Sequence, residues 1–299
     1  MELAIVIPFY KIEYFNHTLR SLALQTNKRF RVYIGDDASA DTPDRLLQKY
    51  NGQFNYMYYR FQTNLGRISL SKHWKRCIDL TQGEPWIMIL GDDDWLNENI
   101  VQSFYDNIDK IRGRYNLIRF ASTIQYQKEG RFSKKFEHPP VENKEDAFFR
   151  KFTHKTRSSL SEYIFFRKSY DRHGFKDYPL AWNSDDWAWL NFAENKPIYT
   201  INEAEVFVRI SDENISGKED NKKEKLKSEI QFYSDIIRAK KLKLRLDIYI
   251  EVLRRYELLL SKNYMLTKKK LFKLGVLYLK NGGFFELKKF LSRIKETYR

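Results

Sequence analysis

The sequence predicts an α/β fold in which helices flank a mostly parallel sheet. Short apolar runs, such as residues 3–7 and 86–90, alternate over the first 121 residues with amphipathic helical segments, such as residues 15–25. This alternation is typical of parallel sheets, because crossover helices connect neighbouring strands. Two acidic clusters directly follow predicted strands, which places them at the carboxyl edge of the sheet, where ligands of such folds bind.

The predicted elements follow from hydrophobic periodicity and from turn and capping residues. Strands are expected at residues 3–7, 30–34, 54–60, 86–90 and 117–121, and later at 162–166 and 204–210. Helices are expected at residues 15–25, 46–50, about 70–80, 97–111 and 184–195. Residues 122–160 are less regular, with a hairpin indicated by Gly130 and a loop by Pro139-Pro140.

The excess basic charge lies almost entirely in the last 83 residues. The chain has a net charge of +15; residues 1–216 hold 31 Lys and Arg against 29 Asp and Glu, and residues 217–299 hold 23 against 10. From Lys222 the apolar pattern is helical, broken at Asn281-Gly282-Gly283. Residues 242–252 alternate as a strand would, but the length and the neighbouring pattern favour a helix. We therefore expect a domain at 1–216 and a basic amphipathic helical extension at 217–299.

Cysteine usage and hydropathy indicate the compartment. A single cysteine, Cys77, allows no internal disulfide and fits a reducing environment, where we expect it to be a buried small residue. The N-terminus lacks the pattern of a signal peptide, and no run of about 18 apolar residues occurs. We expect a cytoplasmic protein. The basic extension either packs on the domain or lies on an anionic membrane surface, which would place the protein at the inner face of the cell membrane.

The acidic triplet Asp92-Asp93-Asp94 is the strongest candidate for a ligand site. Magnesium and manganese prefer hard oxygen ligands, often one or two carboxylates plus phosphate oxygens. An acidic turn that only caps a helix is the alternative. At other strand ends Asp37 can accept a hydrogen bond from a nucleobase, Tyr10 can stack on the base, and Arg67 can neutralise phosphate. Each group alone has a simple structural explanation, but their convergence predicts a nucleotide-diphosphate site.

A second acidic pair, Asp185-Asp186, lies at the start of the helix predicted at 184–195. The helix dipole favours negative charge there, so capping by Ser184 or Asp185 accounts for one acid. Trp182 and Trp187 flank the pair, and aromatic faces pack against the C–H surfaces of sugars. Both tryptophans are therefore candidate acceptor-binding residues.

These motifs together resemble the family 2 glycosyltransferases. The resemblance rests on residues 4–10 (AIVIPFY), 33–39 (YIGDDAS), 64–66 (NLG), 73–78 (HWKRCI), 83–84 (GE) and 90–95 (LGDDDW), in matching order and spacing. It extends over about residues 2–216. It implies a GT-A fold, with a nucleotide-binding half at 1–121 and an acceptor-binding half at 122–216. It also implies inverting transfer of a sugar from a nucleotide diphosphate, such as a UDP-sugar, to a sugar or polyol hydroxyl.

The resemblance assigns roles to individual residues. Pro8 and Tyr10 would border the nucleobase, Asp37 would bind its N–H edge, and Arg67 would lie near the base or the diphosphate. Asp93 would reach the ribose and Asp94 would hold Mn²⁺ or Mg²⁺; if the Asp-x-Asp spacing starts at Asp92, Asp94 still carries the ion. Asp186 would be the general base, with Asp185 as the second candidate.

The family likeness also suggests partners. They are a nucleotide-sugar donor and a glycan or lipid-linked glycan acceptor, as in bacterial assembly of cell-surface polysaccharide. One position departs from the pattern: Ser211 stands where the family commonly has a metal-binding histidine, and Asp212 or water could substitute. This departure motivates the alternative of a catalytically inactive sugar- or nucleotide-binding protein.

The pI near 9.5 raises a nucleic-acid-binding alternative. It is disfavoured because the charge lies outside the α/β domain and no known reading module occurs, so no nucleic-acid partner is expected.

Overall fold

A computed structural model describes residues 2–212, 214–239, 242 and 244–297. The chain forms two compact units, residues 1–221 and residues 222–299. The first unit contains ten strands and seven helices among the described residues, and the second is helical.

The strands of the first unit are β1 (Leu3–Phe9), β2 (Phe30–Asp36), β3 (Asn55–Arg60), β4 (Trp86–Ile89), β5 (Trp95–Leu96), β6 (Leu117–Tyr126), β7 (Arg131–Phe132), β8 (Val141–Glu142), β9 (Tyr163–Phe166) and β10 (Ile198–Ile210). Its helices are α1 (Phe15–Ala23), α2 (Asp44–Lys49), α3 (Leu70–Ile78), α4 (Ile100–Ile111), α5 (Lys144–Phe152), α6 (Arg167–His173) and α7 (Ser184–Phe192). The predicted α/β fold with flanking helices is confirmed. The main difference is that β6 and β10 extend well beyond the predicted runs.

The strand order places a topological switch between β1 and β4. The main path of the sheet runs β3-β2-β1-β4-β9-β6-β10-β5, with β7 beside β6 and β8 beside β10. β1 pairs in parallel with β2 on one side and with β4 on the other. β9 is antiparallel to both β4 and β6. Because the chain order reverses direction at β1, a crevice opens beyond the carboxyl ends of β1 and β4.

Two apolar cores cover the two faces of the sheet. Successive side chains of β1 alternate between them: Leu3, Ile5, Ile7 and Phe9 belong to one core, and Ala4 and Val6 to the other. Helices α1 and α4 cover the first core, and α3 and α7 cover the second. Both faces of β1 are thus buried, which explains its uninterrupted apolar sequence.

The second unit consists of α8 (Lys222–Arg238), α9 (Leu246–Lys262) and α10 (Lys268–Thr297). The helix interpretation of the alternating stretch is confirmed from Leu246 onward; Lys240, Lys241 and Lys243 lie outside the described residues. α10 is interrupted at Gly283, whose φ of 67° is costly for side chains with a Cβ. The predicted break at this point is therefore confirmed. Within the part of the chain that the structure describes, no helix has the combined length and hydropathy that crossing a bilayer requires.

Close packing of α3 against β2 requires a glycine at position 35. A Cβ on Gly35 would lie 2.4 Å from Cys77 Sγ and 3.1 Å from the ring of Phe61. We predict that Gly35→Ala lowers the free energy of unfolding by about 1–3 kcal/mol, as overpacked cores do. Urea denaturation measures this. The double variant Gly35→Ala/Cys77→Ala removes the clashing sulfur and should recover part of the loss; strictly additive losses would contradict this packing.

Candidate active site

The backbone at the end of β1 brings the two acidic clusters of the first half together. Asp92 Oδ2 accepts hydrogen bonds from the backbone N–H groups of Tyr10 and Lys11, each at 2.8 Å. One residue earlier, the carbonyl of Phe9 accepts the N–H of Asp37 at 2.9 Å. Burial and the charge of Asp93 raise the pKa of Asp92 to about 7. The crevice at the switch point is therefore lined by acids from β2 and β4.

Asp94 is the most tightly held member of the triplet and is 7% exposed. Its Oδ1 accepts the backbone N–H of Arg209 at 2.9 Å, and its Oδ2 accepts the hydroxyl of Ser161 at 2.5 Å. Ser161 Oγ in turn accepts the N–H of Gly91 at 3.1 Å. Burial and the neighbouring charge of Asp93 raise the pKa of Asp94 to about 7. Ser161, which lies just before β9, and Arg209 of β10 thus fix this carboxyl group.

Asp93 is contacted by the segment after β10. The side-chain amide of Asn214 donates to Asp93 Oδ2 at 3.2 Å and to the carbonyl of Arg209 at 2.6 Å, and Arg209 Nε donates to the carbonyl of Asp93 at 3.1 Å. Burial raises the pKa of Asp93. Neither Asn214 nor Arg209 was assigned to the site from the sequence; the signal available was the family segment around Ser211.

Asn214, rather than Asp212, approaches the acidic triplet. Asp212 has a side chain that is 76% exposed and lies 3.7 Å from the ammonium group of Lys128. Ser211, at the position of the family's histidine, is 6% exposed. The alternative in which Asp212 replaces the histidine as a ligand therefore gains no support from this geometry.

The surroundings of Gly91 fit a hard divalent cation. A Cβ on Gly91 would lie 3.0 Å from Asp94 Oδ2 and 3.1 Å from Asp93 Oδ1, so the two carboxylates approach the same small space. Among the residues described, no group of three or more His, Cys, Asp or Glu side chains is arranged to hold a metal ion. Mg²⁺ often takes only one or two carboxylate ligands and completes its shell with phosphate oxygens and water, so cation binding by Asp93 and Asp94 stays a prediction.

Asp37 fixes the turn at residues 64–66. Its two carboxylate oxygens accept the backbone N–H groups of Leu65 and Gly66, each at 2.8 Å, and the guanidinium of Arg76 also donates to it. The residue is 3% exposed, and burial raises its pKa. Three of its roughly four acceptor positions are occupied. Binding of a base by Asp37 stays a prediction, and Arg76 is a partner that sequence reasoning missed.

The remaining predicted nucleotide-binding residues lie on the rim of this crevice. Tyr10 is 45% exposed directly after β1, so its ring is accessible for stacking. Pro8 is half-buried in β1, opposite Gly35 of β2. Arg67 has an exposed side chain and follows the turn that Asp37 holds. Their roles toward a nucleotide stay predictions.

The two members of the second acidic pair differ sharply. Asp186 is 6% exposed; the Lys151 ammonium donates to its Oδ1, and the Asn183 amide donates to its Oδ2 at 2.9 Å. Asp185 is half-buried, and burial together with the charge of Asp186 raises its pKa to about 7. The N-cap of α7 is Asn183, with φ 67°, so both acids are first-turn residues and the capping role considered for Ser184 or Asp185 is wrong.

The predicted acceptor-binding tryptophans lie beside this pair. Trp182 and Trp187 are both half-buried, and the Lys176 ammonium lies 4.8 Å from the centre of the Trp187 ring. The third tryptophan of the motif, Trp189, is 5% exposed and stacks on Tyr163 with ring centres 4.3 Å apart. The ring of Trp189 thus packs in the core, and acceptor binding by Trp182 and Trp187 stays a prediction.

Residues 157–163 connect the acidic triplet with the acidic pair. Ser161 holds Asp94, and the Arg157 charge acts on the same carboxyl group. Arg157 also lines a cavity together with Asp186. Arg157 is therefore a neighbour that Asp94 and Asp186 share. An acidic crevice at the switch point of this sheet defines an α/β protein of the GT-A type.

Residues 4–178 match the family model described as Glycosyl transferase family 2. The match covers more than half of the chain, so the protein belongs to this family and is a glycosyltransferase. It includes both acidic clusters of the nucleotide-binding half and ends before Asp185. A search of curated protein sequences found no match.

Similar solved structures include those of TarS from S. aureus. The crystal structure of TarS 1-349 with UDP-GlcNAc has a TM-score of 0.64 and 15% identity, covering 94% of this chain and 82% of that chain. The structure of TarS 1-349 with UDP has a TM-score of 0.60 and 16% identity, covering 92% of this chain and 75% of that chain. The crystal structure of TarS 1-349 alone has a TM-score of 0.64 and 14% identity, covering 99% of this chain and 92% of that chain. At these identities the similarity shows a common fold.

Proposed function

We propose that the protein is an inverting glycosyltransferase that moves a sugar from a nucleotide diphosphate, most suitably UDP, to a hydroxyl of a sugar or polyol. The observation that carries the proposal is the convergence of Asp37 and Asp92 on the end of β1, with Asp94 connected through residues 157–163 to Asp186. The bound UDP-GlcNAc and UDP of the structurally similar TarS support the choice of donor class.

The donor would lie across the carboxyl ends of β1 and β4. The exposed ring of Tyr10 is available to stack on the base, with Pro8 beside it and Asp37 at its N–H edge. Asp93 would face the ribose, and Arg67 would neutralise part of the diphosphate charge. Asp92, which holds the backbone of Tyr10, positions the stacking residue rather than contacting the base itself.

Asp94, with Asp93, would hold Mn²⁺ or Mg²⁺. When bound, such an ion stabilises the negative charge that builds up on the departing diphosphate. The chain contributes the orientation: Ser161 and the N–H of Arg209 fix the Asp94 carboxyl group before any ligand arrives. Preorganised groups of this kind need little rearrangement during the reaction, which is the main source of electrostatic catalysis.

The acidic pair Asp185-Asp186 would supply the general base. A hydroxyl is a poor nucleophile near neutral pH, so a carboxylate must take its proton as the bond to the sugar forms. Asp185, with a pKa near 7, is suitably basic, while Asp186 is held in place by Lys151 and Asn183. Attack from the side opposite the departing diphosphate inverts the anomeric centre in one displacement.

The second unit would bind an anionic membrane surface, where a lipid-linked glycan acceptor is found. In α10, Phe272, Val276 and Leu279 are 74%, 46% and 39% exposed and recur at helical spacing. Exposed lysines such as Lys269 and Lys273 accompany them. Exposed apolar groups beside cations are the pattern of helices that lie in the interface of anionic bilayers. This location would suit bacterial assembly of surface polysaccharide at the inner face of the membrane.

The donor site is tested by calorimetric titration of UDP with Mn²⁺. We predict that Asp94→Asn weakens UDP–Mn²⁺ binding at least about tenfold, because a charged ligand atom is lost. Gly91→Ala should weaken it as well, because the added methyl fills the space between the Asp93 and Asp94 oxygens. Asp109→Asn, which changes a carboxylate that is 94% exposed in α4, is the matched control. Equal UDP–Mn²⁺ affinity in all four proteins would exclude the site.

The general base is tested by sugar release from a panel of UDP-sugars in the presence of an acceptor mixture. We predict that Asp185→Asn or Asp186→Asn lowers kcat by about 10²–10⁴, the range for loss of acid–base catalysis. Wild-type activity should fall as the pH drops below about 7. The pKa of Asp185 is raised to about 7, so its carboxylate becomes protonated there and can no longer accept a proton. Unchanged UDP–Mn²⁺ binding in both variants serves as the folding control. Full activity of both variants would refute the assignment.

Membrane binding is tested by sedimentation of the full chain with vesicles. We predict binding to vesicles rich in phosphatidylglycerol, little binding to phosphatidylcholine alone, and a decrease at high salt as charges are screened. The double variant Phe272→Ser/Phe284→Ser should bind less, since the side chains are 74% and 81% exposed in α10. Tyr59→Ser removes an aromatic ring, 46% exposed, from the first unit as a control. Equal sedimentation of both variants with anionic vesicles would contradict the proposal.

A further inference from the structure

A cavity beside Asp186 has more cationic than anionic lining. It is formed mainly by α5 and α7, with contributions from residues 157–158, β6, β9 and β10. Four lining side chains are cationic: Arg119, Lys144, Lys151 and Arg157. Asp186 is the anionic residue among those that line it. None of the residues of the proposed donor site lines this cavity, whereas Asp186 of the proposed base pair does, so it is a separate space next to the base.

Three of the four lining cations are paired with carboxylates. Arg119 donates to Glu142 at 2.7 Å, and Arg157 pairs with Glu162. Lys144 instead donates to a backbone carbonyl, that of Glu194, so no carboxylate takes that hydrogen bond. Lys151 pairs with Asp186, and the charges of Glu145 and Glu194 act on Lys144, which is the lining cation without a carboxylate hydrogen bond. Arg150, which shares Glu142 with Arg119 at 2.7 Å, adds a further positive charge.

Two buried donors that belong to lining residues lack acceptors. The Nε–H of Arg119 and the indole N–H of Trp189 have no hydrogen-bond partner among the residues described, and these residues are 1% and 5% exposed. Buried donors without acceptors are rare in folded proteins and destabilise them. The hydroxyl of Ser158 and the ring of Tyr163 also line the space. The cavity therefore suits an occupant that is rich in oxygen acceptors.

A buried histidine lies close to the arginines of this cluster. His138 is 4% exposed, and its pKa is lowered to about 2 by burial and by the guanidinium groups of Arg119, Arg150 and Arg157. The imidazole is thus neutral and adds no charge of its own. The three arginines are themselves paired with Glu142 and Glu162.

We propose that this cavity binds an oxyanion group, phosphate or carboxylate, that the acceptor substrate carries. The anion would accept the N–H groups of Trp189 and Arg119 and face the Lys144 ammonium, which would bring a neighbouring acceptor hydroxyl to Asp185-Asp186. The acceptor assignment rests on the proposed transferase function, whereas anion binding itself does not. The substrate class that follows is an anionic glycan or polyol, either a phosphate ester or an acidic sugar.

Calorimetry of the full chain tests the proposal, with inorganic phosphate, glycerol 3-phosphate, acetate and uncharged glycerol at constant ionic strength. Saturating UDP and Mg²⁺ occupy the donor site, so that the remaining anion binding belongs to the cavity. We expect both phosphate compounds to bind and glycerol not to bind. Acetate binding at least as tightly as phosphate would assign an acidic sugar rather than a phosphate ester. Tighter binding of glycerol 3-phosphate than of free phosphate supports an anion that the acceptor carries. If glycerol 3-phosphate does not bind, the assignment of the anion to the acceptor is overturned.

Matched variants locate the binding. Trp189→Phe removes the indole N–H and Lys144→Gln removes one cation, and each should weaken phosphate binding about tenfold. Trp74→Phe, in the same apolar core but outside the cavity, and Lys168→Gln, on the surface, should leave it unchanged.

Several outcomes refute the cavity. The first is that Trp189→Phe and Lys144→Gln, with wild-type melting temperatures, bind phosphate as tightly as the wild type. The second is that the wild type binds no phosphate, which would indicate that water alone occupies the cavity. If UDP–Mg²⁺ does not bind while phosphate does, the donor site fails and the anion site stands.

Discussion

The site depends on placing three adjacent carboxyl groups, two half-buried and one buried, at the end of one short strand. Like charges in a desolvated turn repel one another, and this repulsion together with burial raises the pKa of both Asp92 and Asp94 to about 7. The fold tolerates them because each is hydrogen-bonded: Asp92 by the backbone after β1, and Asp94 by Ser161 and Arg209. A bound cation, as proposed, would relieve the remaining repulsion.

The nucleotide-binding half could be predicted from the sequence because its signals are local. Apolar runs define β1, β2 and β4, and acids that directly follow them must lie at the carboxyl edge of the sheet. Neighbouring strands in a parallel sheet then bring Asp37 and Asp92 together without any knowledge of side-chain packing. Family likeness added the roles but was not needed to place these residues.

Partners that are distant in sequence could not be predicted in this way. Lys151 reaches Asp186 across 35 residues, Ser161 reaches Asp94 across 67, and Asn214 reaches Asp93 across 121. No periodicity or spacing encodes such contacts, since they depend on how whole elements pack. The capping interpretation of the acidic pair was wrong for a related reason: Asn183, in a left-handed conformation, is the N-cap, so Ser184 and Asp185 lie within the first turn of α7.

The position of β9 has a consequence for how the protein is made. This strand lies between β4 and β6 and joins the two parts of the sheet, although it follows β6 in the chain. Until residue 166 has left the ribosome, β4 and β6 each present an unpaired edge that can associate with other chains. The nucleotide-binding half therefore cannot be completed as an independent early unit, and a fragment that stops near residue 121 would be prone to aggregation.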